Sequence, residues 1–333
     1  MKPPRVPLIL RPTPLHRLPR LSAELGIDLW IKRDDLTGFA LGGNKGRKLE
    51  FLLADMVLKR TTAVVTCGAV HSNFIRQLGA ACSIRGLRCL ALVMDLPFEP
   101  GFEIANVGVG PGGNRWLNEW LGVEVHELPN GSWDELFAQT EDLAQRLEAE
   151  GETVYRIPVG GSSPLGAYAF FEAAEEIRTN PFFDSIICPS SSGSTQVGLS
   201  YALHGAQTHV IGISCDPEPD LLEELKRLCY GLDDLLGLDR RVAAEYLNLR
   251  YDFVGPGYGV PSPEGLAALE LMARTEGIFL DPIYTSKAFA GLVQMVRQKE
   301  IRGRVLFWHT GGIPSLFTVP PSARIQSAEI AID

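Results

Sequence analysis

The sequence predicts an α/β protein, a parallel sheet with helices on both of its faces. Three observations carry this. Short apolar, β-branched runs alternate with segments whose apolar residues recur at helical spacing. The junctions leading from strand to helix are rich in glycine, serine and asparagine, the residues that turn and cap. The chain has 333 residues, 45% hydrophobic and 21% charged, which suits one large α/β domain or two packed units.

Taken in order, MKPPRVPLILRPTPLHRLPR reads as an extended arm because prolines punctuate it. LSAEL gives a short helix, Gly26 a turn and DLWIKR a strand. Asp34 and Asp35 close that strand. With no histidine or third carboxylate beside them, turn capping and ion pairing to Arg33 or Lys32 outweigh an acid–base or metal role. After Lys45, the residues Leu49, Leu52, Leu53, Met56 and Val57 fall on one helical face. TTAVVTCG is a strand, HSNFIRQLGAACSIRG a turn and helix, and RCLALVMD and VEVHELP are strands. SWDELFAQTEDLAQRLEAEG is a helix and TVYRIPVGG a strand ending in a glycine turn. The alternation continues through LGAYAFFEAAEEIRTN (helix), FDSIICPS (strand), GSTQVGLSYALHG (helix) and HVIGISCD (strand). Helices are expected near 220–236, 262–276 and 285–298, with RVLFWHT as the last strand. No repeat and no linker interrupts the pattern, so two units would share a broad interface.

Charge and cysteine usage narrow the function classes. A formal net charge of −9 argues against a nucleic-acid partner and offers no basic face to an anionic membrane. The six cysteines (67, 82, 89, 188, 215 and 229) show no C-x-x-C and no zinc-type spacing, so neither a disulfide framework nor a metal site is expected. The N-terminal apolar run is too short for a signal sequence and no stretch approaches a membrane span. A soluble cytoplasmic protein is expected.

The stretch GGNKGRKLE places Lys45 after a glycine turn, at or just before a helix start. The partial positive charge of a helix N-terminus disfavours an ammonium, which predicts a lowered pKa and a nucleophilic amine. A surface lysine beside an ordinary turn is the plainer alternative. A nucleotide P-loop fails because Asn44 occupies its lysine position and Gly46 its Ser/Thr position. A second glycine motif, GVGPGG from Gly108 to Gly113, matches a dinucleotide fingerprint literally. No clean buried strand precedes it and Pro111 interrupts it, so a mobile glycine loop outweighs a nicotinamide site.

Three further stretches put small or polar residues between a strand and a helix, where doubly wound sheets bind ligands. In HSNFIRQ, Ser72 and Asn73 stand at a helix start; taken alone, capping accounts for them. In PSSSGSTQVG, Ser192, Gly193, Ser194 and Thr195 exceed what one cap needs and form a phosphate cradle without a lysine. Tyr258 in GPGYGVP, Tyr284 in DPIYTSK and Thr310 in WHTGG sit beside turns that can project them into a cleft. A nucleophilic lysine, a lysine-free phosphate cradle and hydroxyl groups at strand ends together specify pyridoxal phosphate.

These residues resemble the fold-type II pyridoxal-phosphate enzymes, specifically the 1-aminocyclopropane-1-carboxylate deaminase/D-cysteine desulfhydrase family. The resemblance runs from RPTPLHRLPRLS through KRDDLTG, GGNKGRKLE, HSNFIRQ, SGSTQVG, GPGYGVP, DPIYTSK and HTGG. It implies a tryptophan synthase β-like fold of two twisted parallel-sheet domains. The large cofactor domain would comprise 1–47 plus 158–333, and a smaller α/β domain 48–157. It implies a homodimer acting on a small amino acid. Lys45 would carry the cofactor. Ser72 would be catalytic, near the substrate carboxylate or the proton path, and Asn73 would meet the ring hydroxyl. Ser192, Gly193, Ser194 and Thr195 would hold the phosphate, while Tyr258 and Tyr284 would line the substrate side. Asn44 and Lys48 on either side of the lysine, with Thr285 and Thr310, complete the expected cofactor contacts. The deaminases have Glu after the tyrosine matching Tyr284 and Leu in the H-x-G-G motif. Thr285 and Thr310 here match the desulfhydrase pattern. A hydroxyl beside the pyridine nitrogen leaves it largely neutral, which suffices to expel thiolate from a β-carbon. β-Elimination of D-cysteine to pyruvate, hydrogen sulfide and ammonia is therefore expected. Cyclopropane ring opening and a lyase for another β-substituted alanine such as cysteate are the alternatives, and a non-catalytic binding protein on this fold is a third.

Overall fold

The computed structural model describes residues 2–95, 112–178, 182–238 and 246–318. In chain order, β1 (Leu15–Arg17), α1 (Pro19–Leu25) and β2 (Asp28–Arg33) lead to α2 (Lys45–Leu58), β3 (Ala63–Ala69), α3 (Asn73–Arg85) and β4 (Arg88–Met94). Next come α4 (Asn114–Trp120), β5 (Glu124–Glu127), α5 (Trp133–Ala149) and β6 (Val154–Arg156). Then follow α6 (Pro164–Ala173), α7 (Glu175–Arg178), β7 (Ser185–Ser190), α8 (Ser194–Ala202), β8 (His209–Ser214) and α9 (Leu221–Leu236). β9 (Asn248–Arg250), α10 (Pro263–Glu276), α11 (Thr285–Arg297) and β10 (Arg304–His309) complete the order.

The strands make two sheets, of six strands (β1-β2-β10-β7-β8-β9) and four (β5-β4-β3-β6). Among the described residues every pairing is parallel except β1 with β2. Side-chain alternation explains why both faces are covered. On β10, Val305 and Phe307 pack with α1, α10 and α11, while Leu306 and Trp308 pack with α6, α8 and α9. In the smaller sheet, Val64, Ala91 and Val93 meet α2 and α3, whereas Val65, Cys67, Leu90 and Leu92 meet α5. The α2 helix joins the two layers, placing Phe51 in a large-sheet cluster and Leu49, Leu52, Leu53 and Met56 in a small-sheet one.

Several expectations need correction. The arm contains β1, whose three residues pair antiparallel with β2, and β9 is likewise only three residues long; runs this short carry no readable period. The long helix after Gly161 divides at Ala174 into α6 and α7, and its last expected residues, Thr179 and Asn180, lie outside the described residues. So do Gly108 to Pro111 of the glycine motif; Gly113 caps α4 at positive φ. Asp35 pairs with Arg33 as expected, at 2.7 Å. Asp34 does not pair with Arg33 or Lys32. It faces the core and binds Arg47 at 2.7 Å, Thr13 and the Trp308 indole, while Lys32 turns to Glu176.

Candidate active site

The parallel strands end at a common cleft. It is lined from the loops after β2, β3, β6, β7 and β10 and by the two tyrosines, with Lys45, Ser72, Gly160, Ser192 and Thr310 among its walls. Carboxyl ends of parallel strands are where α/β sheets hold ligands, because chain reversals there expose helix N-termini. Three helices, α2, α3 and α8, begin at this cleft and bring the positive ends of their dipoles to it.

Lys45 is the first residue of α2. The preceding turn is held tightly: Gly43 N donates to Asp34 O and Asn44 N to Thr310 O, each at 2.9 Å. Ala40 and Leu41 share the left-handed region with Gly42 and Gly43. A Cβ at Gly42 would lie 1.8 Å from Asp35 O, so only glycine fits there. The Lys45 amine is pushed down to about 8. Burial is the main cause, and Lys48, Cys215 and Asp281 partly offset it. Lys48, one turn on, is buried and donates to Gly160 O at 2.8 Å. Burial first, then the Lys45 charge, holds its amine well below the ordinary lysine range. Lys48 is therefore engaged with the turn at Gly160 and, contrary to the expected cofactor contact, is not among the residues that line the cleft.

The serine-glycine loop lies across from Lys45. Gly193, at φ +80°, precedes α8, and a Cβ there would meet Leu225 at 2.3 Å. Ser192, Gly193 and Thr195 line the cleft; Ser194 is fully buried behind them. The side chains of Ser190 and Ser194 are buried hydroxyls without a partner among the described residues. Asn44 Nδ2 donates to Thr195 Oγ1 at 3.0 Å and so ties the start of α2 to the start of α8.

At α3, Ser72 is the N-cap, accepting from Ile75 N at 3.4 Å, and Asn73 follows. Both capping and exposure to the cleft thus hold for Ser72. Tyr258 and Tyr284 face each other with hydroxyl oxygens 2.7 Å apart. Burial, above all, pushes both phenols upward, so they stay protonated through neutral pH. Thr310 lines the cleft, whereas Thr285 does not. The Thr285 hydroxyl donates to Asp281 Oδ1 at 2.6 Å and accepts from Asp281 N, closing a buried capping loop at the start of α11.

Other residues at the cleft were not singled out by sequence. Val159 and Gly160 come from the turn after β6, whose glycine pair was the available signal. Ser190, Ser191 and Gly311 simply extend recognised motifs. Beside the lining residues but not among them, buried His71 packs its ring 5.5 Å from Tyr258 and 6.4 Å from Tyr284; burial, then Lys287, pushes its pKa down to about 4. No local pattern announces such a contact.

The donor set fits pyridoxal phosphate: an amine of lowered pKa, a helix N-terminus with glycine and spare hydroxyls for a phosphate, and Thr310 and Asn73 for polar ring atoms. A family model described as pyridoxal-phosphate dependent enzyme matches residues 6–311. Proteins named D-cysteine desulfhydrase from Klebsiella pneumoniae (strain 342) and Yersinia enterocolitica are each 40% identical to this chain. Their alignments cover 96% of it and 97% and 96% of the relatives. A crystal structure described as an ACC deaminase homologue is 37% identical with a TM-score of 0.84, covering 94% of this chain and 93% of that one. Threonine deaminase isoform 2 from Solanum lycopersicum shares the fold alone, at 14% identity and a TM-score of 0.63 over 91% of this chain and 80% of that one. With a match spanning nearly its whole length and relatives this similar, the chain belongs to the pyridoxal-phosphate dependent enzymes, in the fold-type II group.

Proposed function

We propose that the protein is a carbon–sulfur lyase of the D-cysteine desulfhydrase type, converting D-cysteine to pyruvate, hydrogen sulfide and ammonia. One observation carries the choice of reaction. Among the described residues lining the cleft there is no carboxylate, and Thr310 presents a hydroxyl instead. A hydroxyl cannot enforce protonation of a pyridine nitrogen, so the site suits expulsion of a good leaving group better than opening of a cyclopropane. The desulfhydrase relatives support the same reading.

When bound, pyridoxal phosphate withdraws electrons from the substrate's α-carbon, which acidifies the α-proton and drives out a group on the β-carbon. In this reading Lys45 carries the cofactor, and its freed amine, with a pKa near 8, takes the α-proton. Ser192, Gly193, Ser194 and Thr195 hold the phosphate, and Asn44 fixes Thr195 for that task. Ser72 and the free N–H groups opening α3 hold the substrate carboxylate. The protonated Tyr258–Tyr284 pair faces the leaving group and donates a hydrogen bond to it. Thr310 meets the ring nitrogen and Asn73 the ring oxygen.

The test is release of sulfide and pyruvate by the purified protein from D-cysteine, L-cysteine and 1-aminocyclopropane-1-carboxylate in parallel. Sulfide from D-cysteine alone is the expected result. 2-Oxobutyrate from the cyclopropane substrate would overturn the threonine argument and favour the deaminase. The two sheets support a division into 1–47 plus 158–333 and 48–157. We further propose a homodimer in the cytoplasm. Six buried cysteines, all free, suit a reducing compartment, and no described helix is long and apolar enough to cross a membrane.

A further inference from the structure

Asn73 opens α3 with an amide whose two ends differ in function, and its partners decide which end is which. Its Oδ1 accepts from Arg76 Nη1 at 3.0 Å and from Asn114 Nδ2 at 2.9 Å. Asn114 is itself oriented: its Oδ1 accepts from Arg76 Nη1 at 2.6 Å, and its Nδ2 also donates to His71 O at 2.6 Å. A guanidinium has no acceptor, so it fixes the oxygen end of both amides. The NH₂ of Asn73 has no protein acceptor among the described residues, and Asn73 lines the cleft.

Arg76 is 1% exposed, as is Asn114, and Arg76 meets no carboxylate among the described residues. Its remaining contact is from Nη2 to Gly42 O at 2.8 Å, in the turn that delivers Lys45. Burial brings its pKa down to about 10. A buried cation without a counter-ion is costly, and here it stands behind the positive end of α3. The charge arrangement suits an anionic oxygen on the cleft side of Asn73. The GVGPGG run also finds a use at its described end, since Gly112 and Gly113 lead directly into Asn114.

We propose that Arg76 and Asn114 are positioning residues that orient the Asn73 amide to donate to the anionic ring oxygen of pyridoxal phosphate. The inference rests on the cofactor reading above. It separates Asn73, which would touch the cofactor, from two residues that act only through it.

The test is equilibrium binding of pyridoxal phosphate to the apoprotein, followed by absorbance, for wild type, Asn73→Ala, Asn114→Asp and the double variant. Asn114→Asp keeps an acceptor for Arg76 but cannot donate to Asn73. Each single variant is expected to weaken binding about tenfold, the loss of one buried hydrogen bond. Both are expected to displace the bound-cofactor absorption in the same direction. The double variant is expected to bind no worse than Asn73→Ala, because Asn114 acts through Asn73. Wild-type affinity in Asn114→Asp, or losses that add in the double variant, would overturn the proposal. Should Asn114→Asp not fold, Asn114→Ser completes the same cycle. Failure of the wild-type apoprotein to take up the cofactor would overturn the cofactor reading itself, whatever the variants did.

Discussion

Arg47 grips Asp34 with two hydrogen bonds, Nε to Oδ2 at 2.8 Å and Nη2 to Oδ1 at 2.7 Å, two residues beyond Lys45. Both side chains are buried. Glu176 closes the other side of the guanidinium, and Lys32 in turn binds Glu176 at 2.6 Å. This network pins the first turn of α2 between β2 and α7 and thereby fixes where Lys45 starts. Replacing Arg47 with methionine leaves the buried Asp34 carboxylate without its counter-ion and half-buried Glu176 with Lys32 as its ion-pair partner, which costs about 3–5 kcal/mol. The expected outcome in urea unfolding is a large fall in midpoint; an unchanged midpoint would show that the network contributes nothing net.

Glu176 gives the same network a pH signature. Burial alone raises its pKa, but Arg47 and Lys32 more than offset this and hold it at about 2, against 4.5 for the free side chain. The stabilisation is therefore fully present above 4.5 and is lost as the pH falls from there towards 2. Glu176→Gln is expected to flatten the acid side of the stability curve in that window. A curve parallel to wild type would contradict the assignment.

Much of this arrangement was legible in the sequence, and the limits have physical causes. Lys45 at a helix start, the Ser192–Thr195 loop and the two tyrosines beside turns follow from residue types that punctuate a chain, and the structure brings them to one cleft. The partners of Asp34 were not legible. Lys32 and Arg33 are its neighbours in sequence, but Arg47 reaches it through the glycine turn at 42–43, a contact no local period encodes. Arg76 and Asn114 escaped for the same reason: the bond that joins them spans 38 residues. Thr285 shows the converse error, since a motif position next to Tyr284 suggested the cleft, yet helix geometry turns it towards Asp281.

Lys45→Ala removes the amine without disturbing the buried face of α2, which begins beyond it. The cofactor absorbance and turnover are both expected to disappear, while the unfolding free energy stays within about 0.5 kcal/mol of the wild-type apoprotein's. Retention of both signals would sink the assignment of Lys45.

Gly193→Ala tests the phosphate loop. A Cβ at φ +80° costs about 1 kcal/mol in backbone strain alone, and here it would also strike Leu225. The loop must shift, so pyridoxal phosphate is expected to bind the apoprotein at least tenfold more weakly, with inorganic phosphate no longer competing. Unaltered affinity would place the phosphate elsewhere.

Thr310 and Thr285 separate cleft chemistry from capping. Thr310 lines the cleft and its hydroxyl has no protein partner among the described residues; Thr285 spends its hydroxyl on Asp281. Thr310→Val is expected to alter the absorption of the bound cofactor and to lower kcat with little change in KM, leaving stability nearly intact. Thr285→Val is expected to do the reverse, costing about 1–2 kcal/mol through the orphaned Asp281 N–H, the carboxylate keeping its bonds from the backbone of residues 283–285, while the spectrum stays the same. Thr285→Glu would set a second carboxylate against Asp281 in a buried site. It is therefore expected to destabilise the fold without conferring cyclopropane opening. Spectra, substrate panels and urea midpoints on the three variants decide the matter. If Thr285→Glu gains deaminase activity, α11 must be able to turn that side chain into the cleft, and the capping role assigned to Thr285 fails.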